Sequence, residues 1–151
     1  MKFKKILKFI LCVFGPIICG TIVSLLISTS SYKTMNKPFL SPPPIVFPIV
    51  WSILYLLMGI SLYLIFKNNF NKKTLLLFLI QLVINFLWMP IFFTYKLYYF
   101  AVVWLLLLIA VTIWMIVDFY NIKKIAGYLQ FPYFIWLIIA LYLNIGVAIL
   151  N

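Results

Sequence analysis

The sequence predicts an all-α integral membrane protein, a five-transmembrane-helix bundle with a proline-rich first loop as a lid. Three observations predict it. Hydrophobic residues make up 68% of the chain, against roughly 45–50% in soluble domains, and mean hydropathy is +1.24. The apolar residues fall into five runs, each near the ~20 residues that carry a helix across a bilayer. Between the first two runs stand Pro38, Pro42, Pro43 and Pro44. Their fixed φ and missing backbone donors keep residues 38–44 from being helical.

The whole chain, 151 residues, reads as a single transmembrane domain with spans at about 6–28, 46–66, 74–93, 98–120 and 129–150. That length holds one compact bundle and no soluble catalytic domain. Lys2, Lys4, Lys5 and Lys8 precede the first run, which is longer than the apolar core of a secretory signal and so reads as an uncleaved helix. Gly15, Pro16 and Gly20 within it favour a kink or the close approach of a neighbour. Residues 29–45 form the first loop, and Pro48 is tolerated in the opening turn of the second span. Residues 94–97 make a very short turn, so the third and fourth helices must be antiparallel neighbours. The fourth span ends with Asp118 near Lys123 and Lys124, and Pro132 lies in the opening turn of the fifth.

All 12 basic residues are lysines, there is no histidine, and Asp118 is the one acid. A net charge of +11 would suggest nucleic acid for a soluble protein. Here the lysines sit between apolar spans and read as topology signals and lipid-headgroup contacts, so nucleic-acid binding is not expected. Without histidine no metal site is expected, and one carboxylate supplies no acid–base pair. Cys12 and Cys19 read as small apolar packing residues rather than a disulfide. Nine lysines fall on the N-terminus and the second and fourth interhelical loops; Lys33, Lys37 and Lys96 fall on the other side. By the positive-inside rule the N-terminus is cytoplasmic and the C-terminus outside, in a membrane read as a bacterial cell membrane.

Three spans carry more than an anchor needs. Gln81, Asn85, Trp88 and Phe92 share one face of the third, Trp51, Tyr55 and Met58 one face of the second, and Tyr133, Trp136, Ala140 and Asn144 one face of the fifth. Amides in hydrocarbon must bond across helices or line a cavity, and the pattern allows either. Trp51 and Tyr133 also fit an interfacial aromatic belt. Trp88 and Trp136 sit deeper and are better pocket candidates. The picture is an aromatic, mildly polar cleft near the proline-rich loop, suited to a flat, apolar ligand whose carboxylates could meet Lys33 and Lys37 at the mouth.

These residues resemble the TspO/MBR family, the tryptophan-rich sensory proteins of bacteria and translocator proteins (peripheral-type benzodiazepine receptors) of animals. The loop signature W-Y-x-x-L-x-K-P-x-W-x-P-P is matched by residues 31–43, with Tyr32, Lys37, Pro38, Pro42 and Pro43 in place. The third-helix signature Q-L-x-x-N-x-x-W-x-P-x-F-F is matched by Gln81, Asn85, Trp88, Pro90, Phe92 and Phe93. The fifth-helix signature is matched by Pro132, Tyr133, Trp136, Ala140, Leu143 and Asn144. The resemblance implies a homodimeric five-helix bundle that binds porphyrins such as protoporphyrin IX, as a receptor, sensor or carrier. Ala140 and Leu143 match pocket residues of the family's fifth helix, and the candidate ligand contacts are Lys37, Phe47, Trp51, Tyr55, Gln81, Asn85, Trp88, Phe100, Trp136, Ala140, Leu143 and Asn144. No resident cofactor is implied; a porphyrin would be ligand or substrate.

Some bacterial members are linked to light-dependent porphyrin breakdown, and Trp51 and Trp136 match the tryptophans tied to that chemistry. A light-dependent porphyrin-degrading enzyme is therefore one alternative, and a membrane scaffold without a small ligand is another. The signature's loop tryptophans are replaced by Ser31, Leu40 and Ile45, so weaker stacking at the lid is expected. Ile145 and Ile149 stand where the animal sterol motif needs a tyrosine and a basic residue, so sterol recognition by that motif is not expected.

Overall fold

The computed structural model describes residues 2–68 and 71–151; Met1, the side chain of Lys2 and loop residues 69–70 lie outside that description. Among the described residues the chain is helical without strands. The order is α1 (Lys2–Leu26), α2 (Ser31–Thr34), α3 (Val46–Asn68), α4 (Lys72–Met89), a π-helical turn (Pro90–Thr94), α5 (Tyr98–Ile122), α6 (Lys124–Tyr128) and α7 (Phe131–Leu150). Five helices are long and apolar enough to cross a membrane, α6 continuing into α7 in the fifth span. The protein is an integral membrane protein.

The first loop is not wholly irregular, because α2 forms one helical turn ahead of the prolines. The short turn expected after the third span is reached through a wider coil. Pro90 gives no N–H to the preceding turn, and the Tyr95 amide closes onto the Pro90 carbonyl at 2.9 Å, five residues back. Lys96, with φ 53°, then reverses the chain into α5.

The helices pack as a ring in which α1 lies along α3, α3 meets α6, α7 packs on α5, and α5 on α4. Contact between α1 and α4 is sparse. The tightest approach is at Gly59, where a Cβ would stand 2.5 Å from the Val13 Cα and 2.6 Å from the Cys12 carbonyl oxygen. Backbone there lies against backbone, which only glycine permits. Gly20 does the same for the Tyr55 ring, whereas Gly15, expected to admit a neighbour, faces open space. Cys12 is buried and Cys19 exposed, both free thiols.

The far end of the bundle is closed by Phe78 stacked on Phe119, with Ile65, Met115 and Ala126 around them. The Ser61 hydroxyl donates to the Ala126 carbonyl at 2.6 Å, tying α3 to α6. Asp118 was expected beside Lys123 and Lys124; its carboxylate accepts the Thr74 hydroxyl at 2.6 Å, joining α5 to α4.

The loop end is held differently. Met35 is buried with Phe92, Ala101 and Val147. The Asn36 amide donates to Asn151 Oδ1 at 3.0 Å, and Asn151 Nδ2 donates to the Asn36 carbonyl at 2.8 Å. Pro38 sits so close to Gly146 that a Cβ there would meet its ring at 2.4 Å. The Tyr142 hydroxyl donates to the Phe39 carbonyl at 2.7 Å.

Gly59→Val should cost about 1–3 kcal/mol by overpacking two backbones that cannot both give way. Gly15→Ala, placed in open space on the same pair of helices, should leave thermal unfolding in detergent unchanged or slightly raised. Equal loss in both variants would refute the Gly59 contact as the seat of the α1–α3 packing.

Candidate functional site: a cavity beneath the first loop

A cavity of about 450 Å³ lies under the first loop on the flank of the bundle. Its walls are Ile17, Gly20, Thr21 and Ser24 of α1 and Asn85, Trp88 and Met89 of α4, with Phe93 of the π-turn. Phe47, Pro48, Trp51, Ser52 and Tyr55 of α3 form the back, and Thr29, Tyr32 and Pro44 the roof. The volume lies within the roughly 300–1,000 Å³ of small-molecule sites. No lining side chain among the described residues is charged. The hydroxyls of Thr21, Ser24 and Ser52 donate to carbonyls of their own helices, at 2.9, 2.8 and 2.7 Å, so they face the cavity without an unpaired proton.

A second void of about 20 Å³ lies behind it, toward α5 and α7, lined by Leu105, Leu108, Trp136, Leu137 and Ala140. Phe47, Trp51, Asn85 and Trp88 line both spaces and form the partition between them. Aromatic contacts hold it: Trp51 stacks on Tyr55 with ring centres 5.3 Å apart, and Phe47 meets Trp136 edge-on at 5.8 Å. Tyr32 meets the other side of Phe47 at 5.1 Å.

A buried polar network sets the back wall. Tyr133 Oη accepts from Gln81 Nε2 and, at 2.9 Å, from Asn85 Nδ2. Asn85 Oδ1 in turn accepts the Tyr55 hydroxyl at 2.9 Å. Thr112 of α5 stands beside the same Tyr133 hydroxyl. Tyr133 is 1% exposed, so it is the hub of the core and not an interfacial belt residue. A separate bond runs from the Trp88 indole N–H to Asn144 Oδ1 at 3.0 Å, and Asn144 Nδ2 donates to the Tyr98 carbonyl at 3.0 Å. Trp104 donates to the Ile84 carbonyl. Trp51 and Trp136 differ: among the described residues neither indole N–H has a protein acceptor, and each ring borders a cavity.

The structure thus brings Phe47, Trp51, Tyr55, Asn85 and Trp88 to the main cavity and Trp136 and Ala140 to the void behind it. Gln81 and Asn144 lie in the hydrogen-bonded interior, and Leu143 is buried off both walls. Phe100 corrects the expectation: it is 50% exposed and leans on Trp104, because it stands five positions before Leu105, well round the helix from the face that lines the void. Lys37 sits on the roof, where its ammonium donates to the Tyr32 carbonyl at 2.9 Å and covers the Tyr32 ring at 4.6 Å. Burial pushes the Tyr32 phenol above its ordinary value, and its hydroxyl donates to the Pro42 carbonyl at 2.9 Å. The α1 wall escaped sequence reasoning, although Gly20, Thr21 and Ser24 carry its signal: small and hydroxyl residues in an otherwise apolar span.

A profile of the TspO/MBR family matches residues 10–150. The chain belongs to the TspO/MBR family. It is 35% identical over 125 residues to the tryptophan-rich sensory protein of Cereibacter sphaeroides, covering 80% of this chain and 76% of that protein. It is 32% identical to the tryptophan-rich protein TspO of Archaeoglobus fulgidus over 100% of this chain and 99% of that one. The human translocator protein is 35% identical over 118 residues, covering 75% of this chain and 70% of that protein. Membership of a TspO/MBR family with a named sensory protein supports a sensor or receptor role in the membrane.

The hub makes a clear demand on stability. Tyr133→Phe should cost about 1–3 kcal/mol, since the Gln81 and Asn85 amides lose a buried acceptor. Gln81→Leu, which removes its own donor with it, should cost less. Thermal unfolding in detergent checks the order, and a milder effect for Tyr133→Phe would contradict the hub.

Proposed function

We propose that the protein binds a flat, largely apolar small molecule of the tetrapyrrole class and acts as its membrane receptor, sensor or carrier. The observation that carries this reading is the cavity of about 450 Å³ beneath the loop, walled by Phe47, Trp51, Tyr55, Trp88 and Phe93 and, among the described residues, bordered by no charged side chain. Flat rings gain from stacking on such walls. The indole N–H of Trp51, which has no protein acceptor among the described residues, offers one donor to an acceptor on the ligand. Ligand carboxylates would stay at the mouth, toward the loop that carries Lys33 and Lys37. The lysine distribution supports an orientation in which that mouth faces outward and the lysine-rich end faces the cytoplasm of a bacterial cell.

Titration of the detergent-purified protein with protoporphyrin IX in the dark, read by tryptophan quenching, tests the reading. Quenching should saturate, and Ser52→Phe, which fills the cavity from its back wall, should weaken affinity about tenfold or more. Linear quenching without saturation, or affinity untouched by Ser52→Phe, would exclude this ligand site.

A further inference from the structure

The cavity lies on the flank of the bundle, and its two side walls, α1 and α4, barely touch each other. The two halves of α1 are held very differently. Cys12, Val13, Pro16 and Gly20 are buried, the first two against Gly59 and the last against Tyr55. Beyond Gly20 no residue of α1 is buried: Ile22, Leu25 and Leu26 are 50%, 80% and 76% exposed. That upper segment is the part whose Thr21 and Ser24 form the cavity wall. Pro16 lies one turn below that boundary. It has no N–H for the Cys12 carbonyl, so the helix is one hydrogen bond short just below the boundary.

The roof has the opposite character. Met35 is buried, Asn36 and Asn151 bond reciprocally, Pro38 is keyed against Gly146, and Tyr142 holds the Phe39 carbonyl. Opening the roof breaks all of these contacts. Moving the upper part of α1 breaks few, and its hydroxyls stay bonded to their own helix in hydrocarbon, where an unpaired polar group is costly.

We propose that the cavity exchanges its ligand sideways with the bilayer, through the gap between α1 and α4. The door is the upper segment of α1, residues 21–26, swinging above Gly20 on the turn that Pro16 leaves one hydrogen bond short, while the roof stays latched. This rests on the cavity being the ligand site, and it assigns the lipid phase, not the aqueous phase above the loop, as the ligand's source.

Stopped-flow quenching by protoporphyrin IX in nanodiscs reads the route. Pro16→Ala restores the missing donor and should slow association and dissociation together by at least about fivefold, leaving affinity within about twofold. Asn151→Ala loosens the roof and should leave both rates within about twofold of the parent. Faster exchange in Asn151→Ala, or unchanged exchange in Pro16→Ala, overturns the proposal. Hydrogen exchange in nanodiscs without ligand supplies a second measurement. Amides of residues 21–26 should exchange faster than those of residues 8–15, and Pro16→Ala should protect them. Uniform protection along α1 overturns the hinge. Absence of saturable porphyrin binding would instead remove the ligand reading, and hydrogen exchange would still decide the hinge.

Discussion

The Tyr133 hydroxyl is the interaction on which the rest of the bundle depends. In hydrocarbon no water satisfies a stray amide, so Gln81 and Asn85 commit α4 to whichever helix offers an acceptor. Tyr133 of α7 offers one oxygen to both. Asn85, held by that bond, turns its own carbonyl to the Tyr55 hydroxyl of α3. Three helices are thereby set in register by directional contacts, where the surrounding leucine and isoleucine packing alone would tolerate sliding. The cavity wall inherits this register, because Tyr55 and Asn85 are both part of it.

Rigidity at the back of the site contrasts with slack at its side. Trp88 is tied to Asn144, and Phe92 stacks on Trp88 with ring centres 4.9 Å apart. The helix carrying them ends in a π-turn that sends Phe93 into the cavity and Phe92 into the cluster beneath the loop. On the opposite side α1 rests on α3 through glycine contacts at Gly59 and Gly20, and then runs free. A bundle built this way ties one side of the cavity through directional bonds and ring contacts, and leaves the α1 side with few contacts beyond Gly20.

The loop is less a flap than a strap. Its prolines stiffen it, but its position comes from where it lands: Met35 in a pocket of α5, α7 and the π-turn, Pro38 on Gly146, Asn36 on Asn151. Lys37 is drawn onto Tyr32 by its carbonyl and its ring together, a charge held over an aromatic face at the roof. Positive charge is thus kept on the roof and out of the cavity lining.

Five spans, their approximate limits and the non-helical proline run follow from the sequence by itself, because hydropathy, chain length per bilayer crossing and proline stereochemistry are local properties. The shared faces of Gln81, Asn85 and Trp88, and of Tyr133, Trp136 and Ala140, were equally legible, since helical periodicity needs no partner. What those faces meet was not. Whether an amide serves as glue or as ligand contact depends on which oxygen lies across the gap, and only the packed bundle placed Tyr133 there. Ala140 and Trp136 share a helix face with that hub, yet the partition of Phe47, Trp51 and Trp88 separates them from the main cavity. The division of α1 into a held and a free half arises only in three dimensions, from Gly59 and Tyr55 on a neighbouring helix.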